Sequence, residues 1–120
     1  MLVVHGIPNC DTVKKARDWL DAAGLAYHFH DFKKSGVPEE ALARWVAAFG
    51  WERLLNRQGT TWRRLAEAER AGVVDADSAQ RLMRAQPSLI RRPVVQWADG
   101  LSLGFDAEDF AVRSRPCGRA

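Results

Sequence analysis

Apolar and polar positions change period along the chain, and each change marks an element. Leu2-Val3-Val4-His5-Gly6-Ile7 is a short, mostly apolar, β-branched run ended by Pro8, the profile of a strand buried on both faces. Beyond Pro8-Asn9-Cys10 the apolar positions Val13, Ala16, Leu20 and Ala23 recur at three and four residues. That period predicts a helix beginning near Cys10 and closing at Gly24, where a left-handed cap belongs. Ala26 to Phe32 alternates, with Tyr27 and Phe29 on one side and His28 and His30 on the other, and reads as a second strand. Strand, helix, strand is a parallel unit with a right-handed crossover.

The middle of the chain has helical period throughout. Pro38 stands at a first-turn position, Glu39 and Glu40 suit the positive end of the helix dipole, and Leu42, Trp45, Val46 and Phe49 form an apolar stripe before Gly50. Trp51 to Leu55 continues after a bend, and residues 56–61 have turn composition. Trp62 to Ala71 reads as one short helix ending at Gly72; Asp75 then caps another, which buries Ala79, Leu82 and Met83 and stops before Pro87. Trp45, Trp51, Trp62 and Trp97 are spread through these elements and read as core. After Arg92-Pro93, the runs Val94 to Trp97 and Leu101 to Leu103 are joined through Asp99-Gly100, a strong hairpin signal. Asp106 caps a closing helix from about Ala107 to Val112.

The order βαβ, helical insert, ββα predicts an α/β, thioredoxin-like fold, a four-stranded mixed sheet covered by helices. The expected organisation is a single domain over residues 1–112, with an all-helical insertion at about 35–88 and a frayed basic tail at 113–120. A length of 120 residues fits one domain, and 47% apolar with 28% charged residues is a globular composition. No apolar run approaches the roughly 20 residues of a bilayer span, and no secretory leader pattern opens the chain, so a cytoplasmic protein without membrane contact is expected.

The net charge of +3 raises the question of a nucleic-acid partner, and its location answers it. Arg113, Arg115 and Arg119 lie in the tail, so of 18 Lys and Arg residues 15 remain against 15 acidic ones. A balanced body with only two arginine doublets, Arg63-Arg64 and Arg91-Arg92, argues against nucleic-acid binding. A monomer is expected. Cys10 and Cys117 are too few for a disulfide scaffold, and there is no CxxC pair or Cys/His quartet; His28 and His30 supply half a zinc site, so no metal is expected.

Candidate chemistry centres on Cys10. Between a strand and a helix its sulfur faces free backbone N–H groups and the positive end of the dipole, a setting that lowers a cysteine pKa from about 8.5 to between roughly 3.5 and 7.5. Lys14 and Lys15 lie one turn later and add to that field. Arg92 precedes Pro93 at the start of the third strand; if the two loops meet, its guanidinium offers a planar fork to an anion and stabilises the thiolate. The isomer of the Arg92-Pro93 bond is not legible in sequence. Asn9, Asp11, Thr12 and Lys14, together with Pro93, are the candidate substrate-binding residues, Thr12 either through its hydroxyl or as part of the first helical turn. Cys117 is either a resolving thiol or a tail cysteine without a role.

Gly6-Ile7-Pro8-Asn9-Cys10-Asp11-Thr12-Val13-Lys14-Lys15-Ala16, Asn56-Arg57-Gln58-Gly59-Thr60-Thr61-Trp62, Pro87-Ser88-Leu89-Ile90-Arg91-Arg92-Pro93 and Gly104-Phe105-Asp106 together resemble the ArsC/Spx family, most closely its YffB-like branch. The resemblance covers roughly residues 1 to 112. It implies a thioredoxin-like fold with a helical insertion, Cys10 as nucleophile, and Arg92 before Pro93 as the oxyanion-binding arginine. Arsenate reductases of the family carry a histidine at the place of Gly6 and an arginine near Gly104-Phe105, so the resemblance carries over thiol chemistry and leaves the oxidised substrate open. Spx senses oxidation through a second cysteine at the place of Val13 and binds RNA polymerase. The expectation is a glutathione-dependent thiol/disulfide oxidoreductase with no tightly bound cofactor. Glutathione or a glutaredoxin-type protein would be the reductant and a small anion or disulfide the substrate; a regulator docking on RNA polymerase without turnover is the alternative.

Overall fold

The computed structural model describes residues 2–98 and 100–114. Its elements run β1 (Val3–Gly6), α1 (Asp11–Ala22), β2 (His28–Asp31), α2 (Phe32–Ser35), α3 (Glu39–Phe49), α4 (Trp51–Leu54), α5 (Thr60–Arg64), α6 (Glu67–Ala71), α7 (Ala76–Ala85), a 3-10 turn (Pro87–Leu89), β3 (Val94–Trp97), β4 (Gly100–Leu103) and α8 (Ala107–Arg113). Two compact units divide the described residues: those of 2–32 with those of 92–114, and Lys33–Arg91. The basic tail expected at 113–120, with Cys117, lies outside the described residues from 115 onward.

The first unit is the thioredoxin-like sheet, in the order β2-β1-β3-β4. β1 pairs parallel with β2 and antiparallel with β3, and β3 pairs antiparallel with β4, the hairpin setting Trp97 opposite Gly100. β1 is therefore central, which explains its mostly apolar run: Val4 is fully buried, and the one polar side chain of the strand, His5, is buried as well. α1 ends as the sequence predicts. Gly24 has φ +73, its N–H donates to Asp21 O at 3.1 Å, and Leu25 N–H donates to Leu20 O at 3.0 Å, a Schellman closure that needs a residue at ease with positive φ. Asp106 caps α8 by accepting from the N–H groups of Glu108 and Asp109 at 2.9 and 3.1 Å.

The core of this unit gathers Val4, Ala16, Leu20, Val95, Trp97 and Phe110. The Phe110 ring takes three edge-on neighbours, Trp19, Trp97 and Phe105, at centroid separations of 5.6, 5.0 and 4.9 Å. Each such pair contributes roughly 0.5–1.5 kcal/mol beyond area burial. The buried Trp97 indole N–H is satisfied by the Ser102 hydroxyl at 2.8 Å.

The second unit is all helical, and α3, α4 and α7 pack against one another. Gly50, at φ +84, is both the end of α3 and the start of α4, and is the bend expected there. Several local expectations are corrected. Pro38 stands at the N-cap of α3 rather than in its first turn. The single helix expected from Trp62 to Ala71 is two, α5 and α6, separated by extended backbone at Leu65 and Ala66. Burial of Leu65 draws the chain inward, the Glu69 carboxylate accepts from the Ala66 N–H at 3.2 Å to start the new helix, and Arg70 donates to the freed Leu65 carbonyl. Leu82 is half-buried, unlike Ala79 and Met83, and of the four tryptophans read as core only Trp45 and Trp97 are fully inside. α2, a single turn, has no counterpart in the periodicity.

Candidate functional site

Cys10 occupies the N-cap of α1 in extended conformation, with φ −100 and ψ 127. Its N–H donates to Ile7 O at 3.3 Å and its carbonyl accepts from Lys14 N–H at 2.9 Å, so the backbone is held on both sides of the side chain. The opposing loop is placed by sheet register. Because β1 and β3 are antiparallel with His5 opposite Val94, the chain leaving β1 toward Cys10 and the chain entering β3 from Arg92 emerge at the same end of the sheet. The Arg92–Pro93 peptide is cis, Pro93 is buried, and its carbonyl accepts from Gly104 N–H at 2.8 Å.

The sulfur is half-buried, and two influences oppose each other there. Loss of water by itself would push the thiol up; the Val13 N–H, the Arg92 guanidinium through both a hydrogen bond and its charge, and the Thr12 N–H more than offset it, holding Cys10 below its ordinary value. A thiol near pKa 8.5 is only a few per cent ionised at pH 7, so any lowering raises the reactive fraction directly.

The residues expected at the site divide into groups. Cys10 and Arg92 are brought together, with the buried Pro93 behind Arg92. Thr12 acts through its backbone. Asn9, Asp11 and Lys14 are exposed on the loop and first turn, at the rim of the thiol. The cation acting on the sulfur comes from Arg92, while Lys14 and Lys15 lie in solvent.

Val13 is the participant the periodicity hid. It reads in sequence as one more apolar helix position, yet its N–H is the first of the influences that hold the Cys10 thiol below its ordinary value. The signal that finds it is positional: Val13 is the third residue of the helix that Cys10 opens, where the backbone N–H has no partner within the helix and favours a nearby anion. His5 was also hidden. Parallel register sets it opposite His30, with ring centroids 5.3 Å apart, and it is buried, whereas His28 is exposed. No group of three or more His, Cys, Asp or Glu among the described residues is arranged to hold a metal ion.

Residues 5–112 match the ArsC family. The chain belongs to the ArsC family. It is similar to a solved protein named YffB, with 47% identity and a TM-score of 0.89 over 94% of this chain and 98% of that one. It is similar also to an arsenate reductase (ArsC)-related protein from Brucella melitensis, with 46% identity and a TM-score of 0.71 over 96% of this chain and 95% of that one. An uncharacterised protein of Haemophilus influenzae is 34% identical over 110 residues, which are 92% of this chain and 96% of that protein. No helix among the described residues is long and apolar enough to cross a membrane.

Proposed function

We propose that this member of the ArsC family is a glutathione-dependent thiol reductase working through the single cysteine Cys10. The observation that carries the reading is the placement of one half-buried sulfur where the N-terminus of a 12-residue helix and a guanidinium from another segment both favour its ionised form. In the first step the Cys10 thiolate attacks a sulfur of a disulfide such as oxidised glutathione. One S–S bond forms to Cys10, the original S–S bond breaks, and the departing glutathione leaves as thiolate. A second thiol then attacks the mixed disulfide, restoring Cys10 and carrying the oxidation away. No second protein cysteine is consumed, which suits a chain with Val13 three residues after Cys10.

Arg92 supplies two tasks in this scheme, stabilising the thiolate before attack and receiving the carboxylate of glutathione or an oxyanion. The N–H groups at the start of α1 that favour the thiolate offer donors to the same anion. The proposed setting is a cytoplasmic monomer with glutathione as co-substrate, and no tightly bound cofactor enters the scheme.

Incubation with oxidised glutathione near neutral pH, followed by intact-mass measurement in a Cys117→Ser background, tests the reading. A rapid gain of one glutathione that disappears on Cys10→Ser is the expected result. Absence of any adduct would contradict it and favour a binding role. Coupled turnover of arsenate with glutathione and glutaredoxin then decides whether an oxyanion is among the substrates.

A further inference from the structure

Gly6 closes β1 and is buried, and the space beside it is taken. A Cβ at this position would lie 2.9 Å from Val13 Cγ2, 3.5 Å from Cγ1 and 3.8 Å from Cβ, the first of these closer than real Cβ atoms approach a neighbour. Val13 cannot swing aside at little cost. It is fully buried, and a β-branched side chain inside a helix is confined almost entirely to one rotamer. Nor can β1 retreat, because it is hydrogen-bonded on both edges, with Gly6 itself in register with Asp31. The part that can yield is the first turn of α1, and that turn carries the N–H groups that favour the Cys10 thiolate.

We propose that Gly6 is a positioning residue for Cys10: lacking a side chain, it leaves room for Val13 beside the end of β1, and this clearance lets the first turn of α1 lie where its N–H groups favour the thiolate. The inference rests on the thiolate reading above and names a residue that governs it without touching the sulfur. It also accounts for a sequence feature that the fold alone leaves unused, a glycine as the last residue of a central strand, where it weakens local structure unless a close approach requires it.

The test is the pH dependence of Cys10 alkylation in a Cys117→Ser background, measured for the parent, Gly6→Ala, and Gly6→Ala combined with Val13→Ala. Gly6→Ala is expected to move the midpoint upward and slow alkylation at pH 7 by about threefold or more, because the displaced turn withdraws donors from the thiolate. Removing the two γ-methyls leaves only the 3.8 Å approach, an ordinary contact, so the double variant is expected to return to the parent midpoint. A merely structural role would change thermal stability and leave the midpoint in place. Should Gly6→Ala fail to fold, the double variant decides alone: a parent-like midpoint supports the proposal, and a raised one overturns it. A folded Gly6→Ala with an unchanged midpoint also overturns it. If the parent itself titrates as an ordinary thiol, the thiolate reading fails instead, so the two failures are told apart.

Discussion

The two units differ most in their short helices. In the sheet unit the 12-residue α1 is closed by the Gly24 turn, α8 is opened by Asp106, and a central strand anchors them to an aromatic core around Phe110. In the helical unit α4, α5 and α6 are four or five residues each, too short to persist alone in water. α5 and α6 are held by side chains reaching nearby backbone, Glu69 to the Ala66 N–H and Arg70 to the carbonyls of Arg63 and Leu65, while the longer α7 is opened by an Asp75 cap as α8 is by Asp106. The difference teaches where chemistry can be built. A reactive sulfur needs fixed donors, and fixed donors come from a long helix seated on a central strand.

Cys10→Ser should cause the largest change, complete loss of the glutathione adduct with the fold retained, read by intact mass and circular dichroism. Phe110→Ala should come next, destabilising the sheet unit by about 3–5 kcal/mol in denaturant unfolding, since a fully buried ring with three edge-on partners is removed. Arg92→Ala should raise the Cys10 midpoint and slow alkylation at pH 7 by about three- to tenfold, whereas Arg91→Ala should change it by less than about twofold. These neighbours fall on opposite sides of the division, Arg91 in the helical unit with its N–H on Leu54 O. Equal effects would mean that the guanidinium at the sulfur has been misassigned.

The smallest effect belongs to the helical unit. Asp75 is held below the ordinary carboxylate value, chiefly by the Ser78 N–H and then by its hydroxyl. A depressed folded-state pKa adds stability above the unfolded value of about 3.9, and that increment is lost as pH falls through the folded value. Acid unfolding of Asp75→Asn should therefore lack a shallow component present in the parent; superimposable acid profiles would remove the cap from the account.

Much of the sheet unit was legible because its signals are periodic or obligatory. The apolar run of β1, the Gly24 closure, the Asp106 cap and the hairpin are each dictated by one local rule. The break at Leu65 and Ala66 was not, since it depends on Glu69 and Arg70 recapturing backbone groups, contacts that leave helical period unchanged across the gap. At the site, Cys10 was legible from its place between strand and helix, and Arg92 required the fold. Val13 was obscured because its contribution comes from the backbone, to which the side-chain pattern is blind, and Gly6 because the reason for a missing Cβ lies seven residues further along the chain.

Cys10 ionises at a lower pH than an ordinary thiol because backbone N–H groups and Arg92 outweigh its burial. Ultraviolet absorbance of the thiolate, followed against pH in the Cys117→Ser protein with Cys10→Ser as blank, measures this directly. The account predicts a single transition centred below about 8.5 that moves upward in Arg92→Ala. A transition at or above that value, unmoved by the loss of Arg92, would contradict it.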